Sequence, residues 1–472
     1  MQPLSPDTRR RYTLILCCLA QFMVILDVSV VNVALPSIQR DLHFSDVDLQ
    51  WVVSAYTLTF AGFLLLGGRA ADLLGQRKMF VAGLALFGLA SLAGGLSGAQ
   101  APLIIARAAQ GLGGAIVAPV TLSVLTTTFS EGTERNRALA AWGAMGAAGG
   151  ASGALLGGIL TEVLGWQWIL FINVPIAVVA AIAAHRVIPD SLDVPRATDR
   201  HYDALGALTV TAGLVLVTFA IVRTDVNGWG SATTLGTMAG GLALLAVFVA
   251  IEARFSRWPL IPLNIFATRS VTASNVVVFF MGSSVFAMWY FVSRYLQQVL
   301  GYSAIEAGLA FLPMTAGIAI ASTIAGRLAT RVGAGRVLSG GMTLIAIGML
   351  GFSFVSSDGS FLRDVLVPGV VTAFGLGFSF VPVTIAATAG VERSRAGLAS
   401  GLVNTSRQFG GSVGLAVLAT VASSAATGHT AVGLTHGFRV AFLVGAGFAA
   451  LGALTSLGGL SQIRRPVPEA AV

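Results

Sequence analysis

A chain of 472 residues that is 55% hydrophobic and only 10% charged cannot bury its apolar surface in a water-soluble core, since soluble domains carry roughly 25% charged residues. The net charge of +8 does not point to nucleic acid, because the basic residues sit in short segments between apolar runs, where they set membrane topology. Hydrocarbon forbids open sheet edges, and no alternating strand pattern is present, so the spans are expected to be helices. The 57 glycines fit that class, because small residues let helix backbones approach closely.

The first apolar run, Thr13–Pro36 (TLILCCLAQFMVILDVSVVNVALP), is long enough to cross a bilayer, which takes about 20 residues, yet it carries Asp27 well inside. A charge there costs about 2.5–3.5 kcal/mol even on lenient scales, so an intramembrane acid points to function. The alternative is a protonated acid hydrogen-bonded in a helix interface. Arg9, Arg10 and Arg11 precede the run, but its length and the absence of a small-residue cleavage site predict a retained span rather than a signal peptide. Cys17 and Cys18 are adjacent and point to different faces, which gives no disulfide or metal framework.

Further runs of spanning length fall near residues 50–67, 79–98, 101–126, 138–161 and 167–188, then 204–222 and 232–252, then 271–293, 305–325, 337–356, 365–388, 398–421 and 439–460. The polar linker Pro189–Asp203 and the basic segment Ala253–Ser270 divide the fourteen as six, two and six. The expected architecture is an all-α integral membrane protein: an N-terminal six-helix bundle in residues 1–190, a linker with two extra helices in 191–265, and a C-terminal six-helix bundle in 266–472. An even count places both termini on one side. Loops on that side hold 21 of the 28 Lys and Arg residues and the opposite side five, which predicts cytoplasmic termini.

Between the second and third runs lies GGRAADLLGQRK, Gly67–Lys78, in which Gly68 and Gly75 permit tight turns. Asp72 can face a helix N-terminus or Arg69, Arg77 or Lys78. The functional reading is a latch of Gly68, Asp72, Gly75, Arg77 and Lys78 that opens and re-forms during a conformational cycle; the alternative is an ordinary basic loop. A weaker copy, GRLATRVG, begins at Gly326, 258 residues after Gly68, in the same topological slot of the second half, with Thr330 where Asp72 stands. Parallel repeats of this kind belong to rocker transporters.

The pattern G-x-x-x-D-x-x-G-x-R-K after the second span resembles the signature loop of the major facilitator superfamily. LDVSVVNVALPSI (Leu26–Ile38), LIIARAAQGLGGA (Leu103–Ala115), WQWILFINVPI (Trp166–Ile176), YLQQVLGYSAIEAG (Tyr295–Gly308) and NTSRQFGGSVG (Asn404–Gly414) are similar, in order, to motifs of its fourteen-helix drug:proton antiporters. GAAGGASGALLGGIL (Gly146–Leu160) resembles the fifth-span antiporter motif but has Ala154 where that motif usually has proline, which weakens the inference from it to export. The resemblance implies alternating access, a proton-coupling acid at Asp27 and a fourth-span arginine, Arg107, in the same machinery.

Arg107 lies about six residues, or roughly 9 Å, into the fourth span, a depth at which it can meet Asp27. Desolvation and a guanidinium act on a carboxyl in opposite directions, so a change of water access would load or unload a proton. The alternative for Arg107 is a static counter-ion. Arg407 with Asn404 and Gln408 either lines a cavity or knits helices together. Arg294, at a span end, reads as a snorkelling residue, with a place in the cavity as the alternative. The candidates for a substrate cavity are Phe22, Asn32, Trp51, Tyr56, Gln110, Phe279, Met288, Phe311, Asn404 and Arg407, with ordinary packing as the alternative for the apolar ones.

The one lysine, Lys78, lies outside any phosphate loop, and no cofactor or metal site, catalytic triad or nucleic-acid partner is expected. The function implied is a monomeric proton antiporter of the bacterial cytoplasmic membrane that expels amphipathic small molecules such as antibiotics. A proton-coupled importer or dedicated metabolite exporter is the alternative, and a non-transporting membrane sensor a remoter one.

Overall fold

The computed structural model describes residues 5–130, 133–188, 203–255, 259, 261–389, 391, 396–428 and 430–460. Among them are sixteen α-helices and no strand: α1 Pro6–Leu42, α2 Trp51–Leu74, α3 Gln76–Gly95, α4 Gln100–Thr128, α5 Thr133–Val163, α6 Trp168–Phe171, α7 Asn173–Val187, α8 Ala204–Asn227, α9 Ala232–Ala250, α10 Arg269–Arg294, α11 Ala304–Ala310, α12 Leu312–Val332, α13 Ala334–Phe352, α14 Val367–Thr388, α15 Ala396–Ala425 and α16 Ala431–Leu460. They supply fourteen helical segments long and apolar enough to cross a membrane, each overlapping one of the predicted runs. The pairs α6–α7 and α11–α12 each make one span. α1 outruns its apolar core at both ends: the Ser5 hydroxyl accepts from the Thr8 amide, and His43 closes the helix in the left-handed region at φ 54°.

The chain groups into two compact units, Met1–Leu260 with Ser293–Leu312, and Ile261–Val292 with Pro313–Val472. In the first, α1 packs along α5 over a row of glycines spaced by four, which places them on one helix face. A Cβ at Gly149 would come 2.8 Å from the Phe22 carbonyl, at Gly153 2.6 Å from Ser29 Cβ, and at Gly157 2.7 Å from the Val30 carbonyl. Ser29 Oγ donates to the Gly150 carbonyl at 2.8 Å. Ala154 is buried, so the fifth-span motif keeps its packing surface without the proline. The extra helix α8 belongs to this unit and lies on α2, Thr211 filling the notch at Gly62 and Phe219 meeting Trp51 with ring centroids 6.4 Å apart.

The segment Ser293–Leu312 joins the same unit through polar contacts. Ser293 Oγ donates to the Asn32 carbonyl at 2.7 Å and Gln297 Nε2 to the Val33 carbonyl at 2.9 Å. Arg294 is 3% exposed rather than snorkelling: it pairs with Asp46 and donates to Gln298 Oε1 at 3.1 Å. Gln39 bridges the group, donating to Asp46 Oδ1 at 2.8 Å and accepting from Gln298 Nε2 at 2.8 Å. The Ile305 amide donates to Glu162 at 2.9 Å.

In the second unit α10 and α15 approach through the glycines of the thirteenth-span motif. A Cβ at Gly410 or Gly414 would collide with Phe279 or Ser283, and Ser283 Oγ donates to the Gly410 carbonyl at 2.9 Å. α13 and α14 meet at Gly341 and Gly375, each against the other's backbone.

The repeated glycine motif has the same backbone solution in both units. α2 stays helical through Gly68 to Leu74, and only Gly75 breaks it, with φ 99° and ψ 133°. Gly333 separates α12 from α13 with φ 97° and ψ 139°. The turn expected at Gly68 is therefore absent; that glycine faces Pro119, whose Cβ a methyl would meet at 3.4 Å. Gly75→Ala should destabilise the fold by about 1–3 kcal/mol, because the conformation is open in practice only to glycine, while Gly68→Ala should be near neutral. Unfolding in mixed micelles measures both, and equal effects would contradict the assignment.

Candidate functional site

α1 carries Asp27 into the interior of the first unit, where it is 0% exposed. Three side chains converge on its carboxylate. Arg107 Nη1 donates to Oδ2 at 2.5 Å, Gln110 Nε2 to Oδ1 at 3.0 Å and Asn173 Nδ2 to Oδ1 at 2.8 Å. Arg107 and Gln110 share a face of α4 because they are three residues apart. The next residue, Gly111, lets α2 close over them: a Cβ there would run into Thr59 Oγ1 and the Tyr56 carbonyl. Asn173 opens α7, and Pro175 stands in that helix's first turn, where its missing N–H breaks no helical bond.

A second ring of contacts fixes the donors. Arg107 Nε donates to the Val52 carbonyl at 2.9 Å, and Nη1 also donates to Gln110 Oε1 at 2.9 Å. Gln110 Nε2 also donates to Ser91 Oγ at 2.7 Å. The Tyr56 ring lies beneath the guanidinium, 4.6 Å from Cζ to centroid, adding cation–π attraction. A buried ion pair is tolerable only when its remaining hydrogen-bonding capacity is met, and Gln110 meets capacity on both partners.

The two residues named as the proton-coupling pair are thus in direct contact. Of the cavity candidates, Tyr56 and Gln110 belong to this buried cluster, and Met288 and Phe311 are at most 1% exposed, so all four face packed protein here. Trp51 is engaged with α8, as described above. Phe22 and Phe279 are half-buried, their carbonyls against Gly149 and Gly410. Asn32 Nδ2 donates to its own helix at the Val28 carbonyl, 3.1 Å away. Asn404 Oδ1 accepts from Arg407 Nη2 at 2.6 Å, and the guanidinium lies 5.2 Å from the Phe380 ring centroid. Of the latch residues, Arg77 Nη1 reaches the His185 carbonyl at 3.5 Å within the first unit, Lys78 is exposed, and the Asp72 side chain lies outside the described residues.

Asn173, Ser91 and the Val52 carbonyl were not foreseen. For Asn173 a signal existed: it is one amide in the otherwise apolar stretch ILFINVPI, and polar groups at membrane depth face protein or water. No sequence pattern marks a backbone carbonyl such as that of Val52.

Known proteins carry the same chain design. Over 428 residues the chain is 42% identical to the cephamycin export protein CmcT of Amycolatopsis lactamdurans, covering 90% of this chain and 87% of that one. It is 37% identical to the puromycin resistance protein pur8 of Streptomyces alboniger, covering 95% and 91%. Among solved structures it superposes on an auto-inhibited POT family peptide transporter with a TM-score of 0.69 at 13% identity, covering 98% of this chain and 99% of that one; at that identity the likeness concerns the fold. Residues 17–415 match the Major Facilitator Superfamily, and residues 275–471 match it again. With fourteen helical spans, a repeated glycine break and these matches along nearly its whole length, the chain belongs to the Major Facilitator Superfamily.

Proposed function

We propose that this protein is a proton-coupled antiporter that exports amphipathic organic compounds, antibiotics among them, across the bacterial cytoplasmic membrane, with both termini in the cytoplasm. The observation that carries the reading is the buried Asp27 with its three donors. A carboxylate at membrane depth is costly to keep, and the packing of the first unit alone would be served as well by apolar residues. In this reading Asp27 takes up and releases the proton. Arg107 compensates the charged form, and Gly68, Asp72, Gly75, Arg77 and Lys78 form the cytoplasmic latch. Support for export comes from the relatives, whose names record cephamycin export and puromycin resistance. Support for the orientation comes from the excess of basic residues in loops on the side of the termini.

Everted membrane vesicles containing the protein test the direction and the coupling together. Energising them with a proton gradient, acid inside, should drive an amphipathic antibiotic into the lumen, and adding the antibiotic should release protons from it. Expulsion of the antibiotic on energisation would identify an importer, and saturable binding without counterflow a sensor.

A further inference from the structure

We propose that Asn173 is the proton-state switch of the Asp27 site, its side-chain amide donating to the carboxylate and turning over to accept from the carboxylic acid. The inference rests on Asp27 being the proton carrier.

The argument is one of hydrogen-bonding capacity. When a proton binds Asp27 at Oδ1, that oxygen becomes a donor and needs an acceptor. All three groups now aimed at the carboxylate are donors. Arg107 has no acceptor to offer. Gln110 is fixed at both ends, its Oε1 accepting from Arg107 and its Nε2 shared with Ser91. Asn173 is free to turn, because its Oδ1 is buried with no hydrogen-bond partner while its Nδ2 lies 2.8 Å from Asp27 Oδ1. An amide carbonyl left unmet at a fully buried residue carries a penalty that native sites rarely keep without use.

A half-turn of the amide brings Asn173 Oδ1 to the new O–H and moves the amino group into the place of the orphaned carbonyl. One unmet group replaces another, so the proton decides the orientation. Oδ2 remains the carbonyl oxygen facing Arg107, and Gln110 Nε2 can still donate to a lone pair of Oδ1. On release the proton leaves for water, and the amide turns back. Among the described residues, the charged or titratable side chains facing Asp27 are Arg107 from α4 and Tyr56 from α2. α3 and α7 bring the neutral Ser91 and Asn173 to the cluster, and α5 meets α1 through glycines and Ser29. Asn173 acts through Asp27 and is a positioning residue.

Infrared difference spectra of the purified protein, recorded between alkaline and acidic pH, test this directly. Wild type should show a carboxylic-acid band, lost in Asp27→Ser, together with an amide band that shifts on isotopic labelling of asparagine and appears with the same pH midpoint. In Asn173→Leu the acid band should move to higher wavenumber, because its O–H has lost its acceptor, and Asn173→Ser, whose hydroxyl can donate or accept, should return it toward the wild-type position. An unshifted acid band in Asn173→Leu would overturn the switch. So would the absence of a label-sensitive amide band in wild type, a measurement that stands if the leucine variant does not fold. If no acid band assignable to Asp27 appears at any pH, the reading of Asp27 as proton carrier fails instead.

Discussion

Asp27→Asn should abolish concentrative export while leaving exchange of substrate down its own gradient intact. One elementary charge crossing 100 mV supplies about 2.3 kcal/mol, which at 1.36 kcal/mol per decade sustains a substrate ratio of about 50-fold. Without a group at position 27 that cycles a proton, that ratio should collapse to about one in energised everted vesicles. The asparagine keeps the size of the side chain and can still accept from Arg107, whose guanidinium also keeps the Val52 carbonyl, Gln110 and the Tyr56 ring, so the fold should persist at reduced stability, and substrate binding with it. Counterflow of labelled substrate in unenergised proteoliposomes verifies that. Undiminished accumulation at equal expression would remove Asp27 from the coupling mechanism.

The largest expected effect on folding is that of Arg107→Met. The arginine is 1% exposed and reaches Asp27, Gln110, the Val52 carbonyl and the Tyr56 ring. Removing it strands a buried carboxylate, a change that costs about 3–5 kcal/mol when one partner of a buried pair is deleted. The double variant Asp27→Asn/Arg107→Met carries no stranded charge, so it should recover most of that loss despite having lost two side chains rather than one. Reversible unfolding in mixed micelles reads all four corners of this cycle, with the coupling energy as the result. If the double variant is as unstable as the sum of the singles, the two side chains are energetically independent and the ion pair has no part in stability.

The spans were legible because hydrocarbon leaves the backbone few choices, and the Asp27–Arg107 contact because two lone charges at membrane depth have strong reasons to meet. What remained hidden follows equally physical lines. A single amide in an apolar helix is cheap enough to face many neighbours, so Asn173 carried no address. Gly68 and Gly75 look alike in sequence, but only one has a backbone angle that demands glycine; the other serves a neighbouring proline across a helix contact. Arg294 sits at a span end, where the usual fate is to reach for water, and its burial depends on Asp46, in the loop after α1, folding back onto it. The aromatic cavity candidates were chosen by residue type, and type alone does not separate a cavity wall from a packed interior. The fifth-span motif shows the reverse: its proline is missing, yet its glycines, small residues that let helices approach closely, still fit α5 to α1.

The boundary between the two units is not a point along the polypeptide. A fragment ending at Leu260 would contain all of α1 to α9, but Asn32, Val33, Asp46 and Glu162 would lose the partners that Ser293–Leu312 brings back from later in the chain. Ribosomal synthesis therefore delivers the amino-terminal half in two instalments, and its completion waits until α11 has left the ribosome. Splitting this gene for two-plasmid expression calls for a cut that respects the returning segment, not one placed at the midpoint of the sequence.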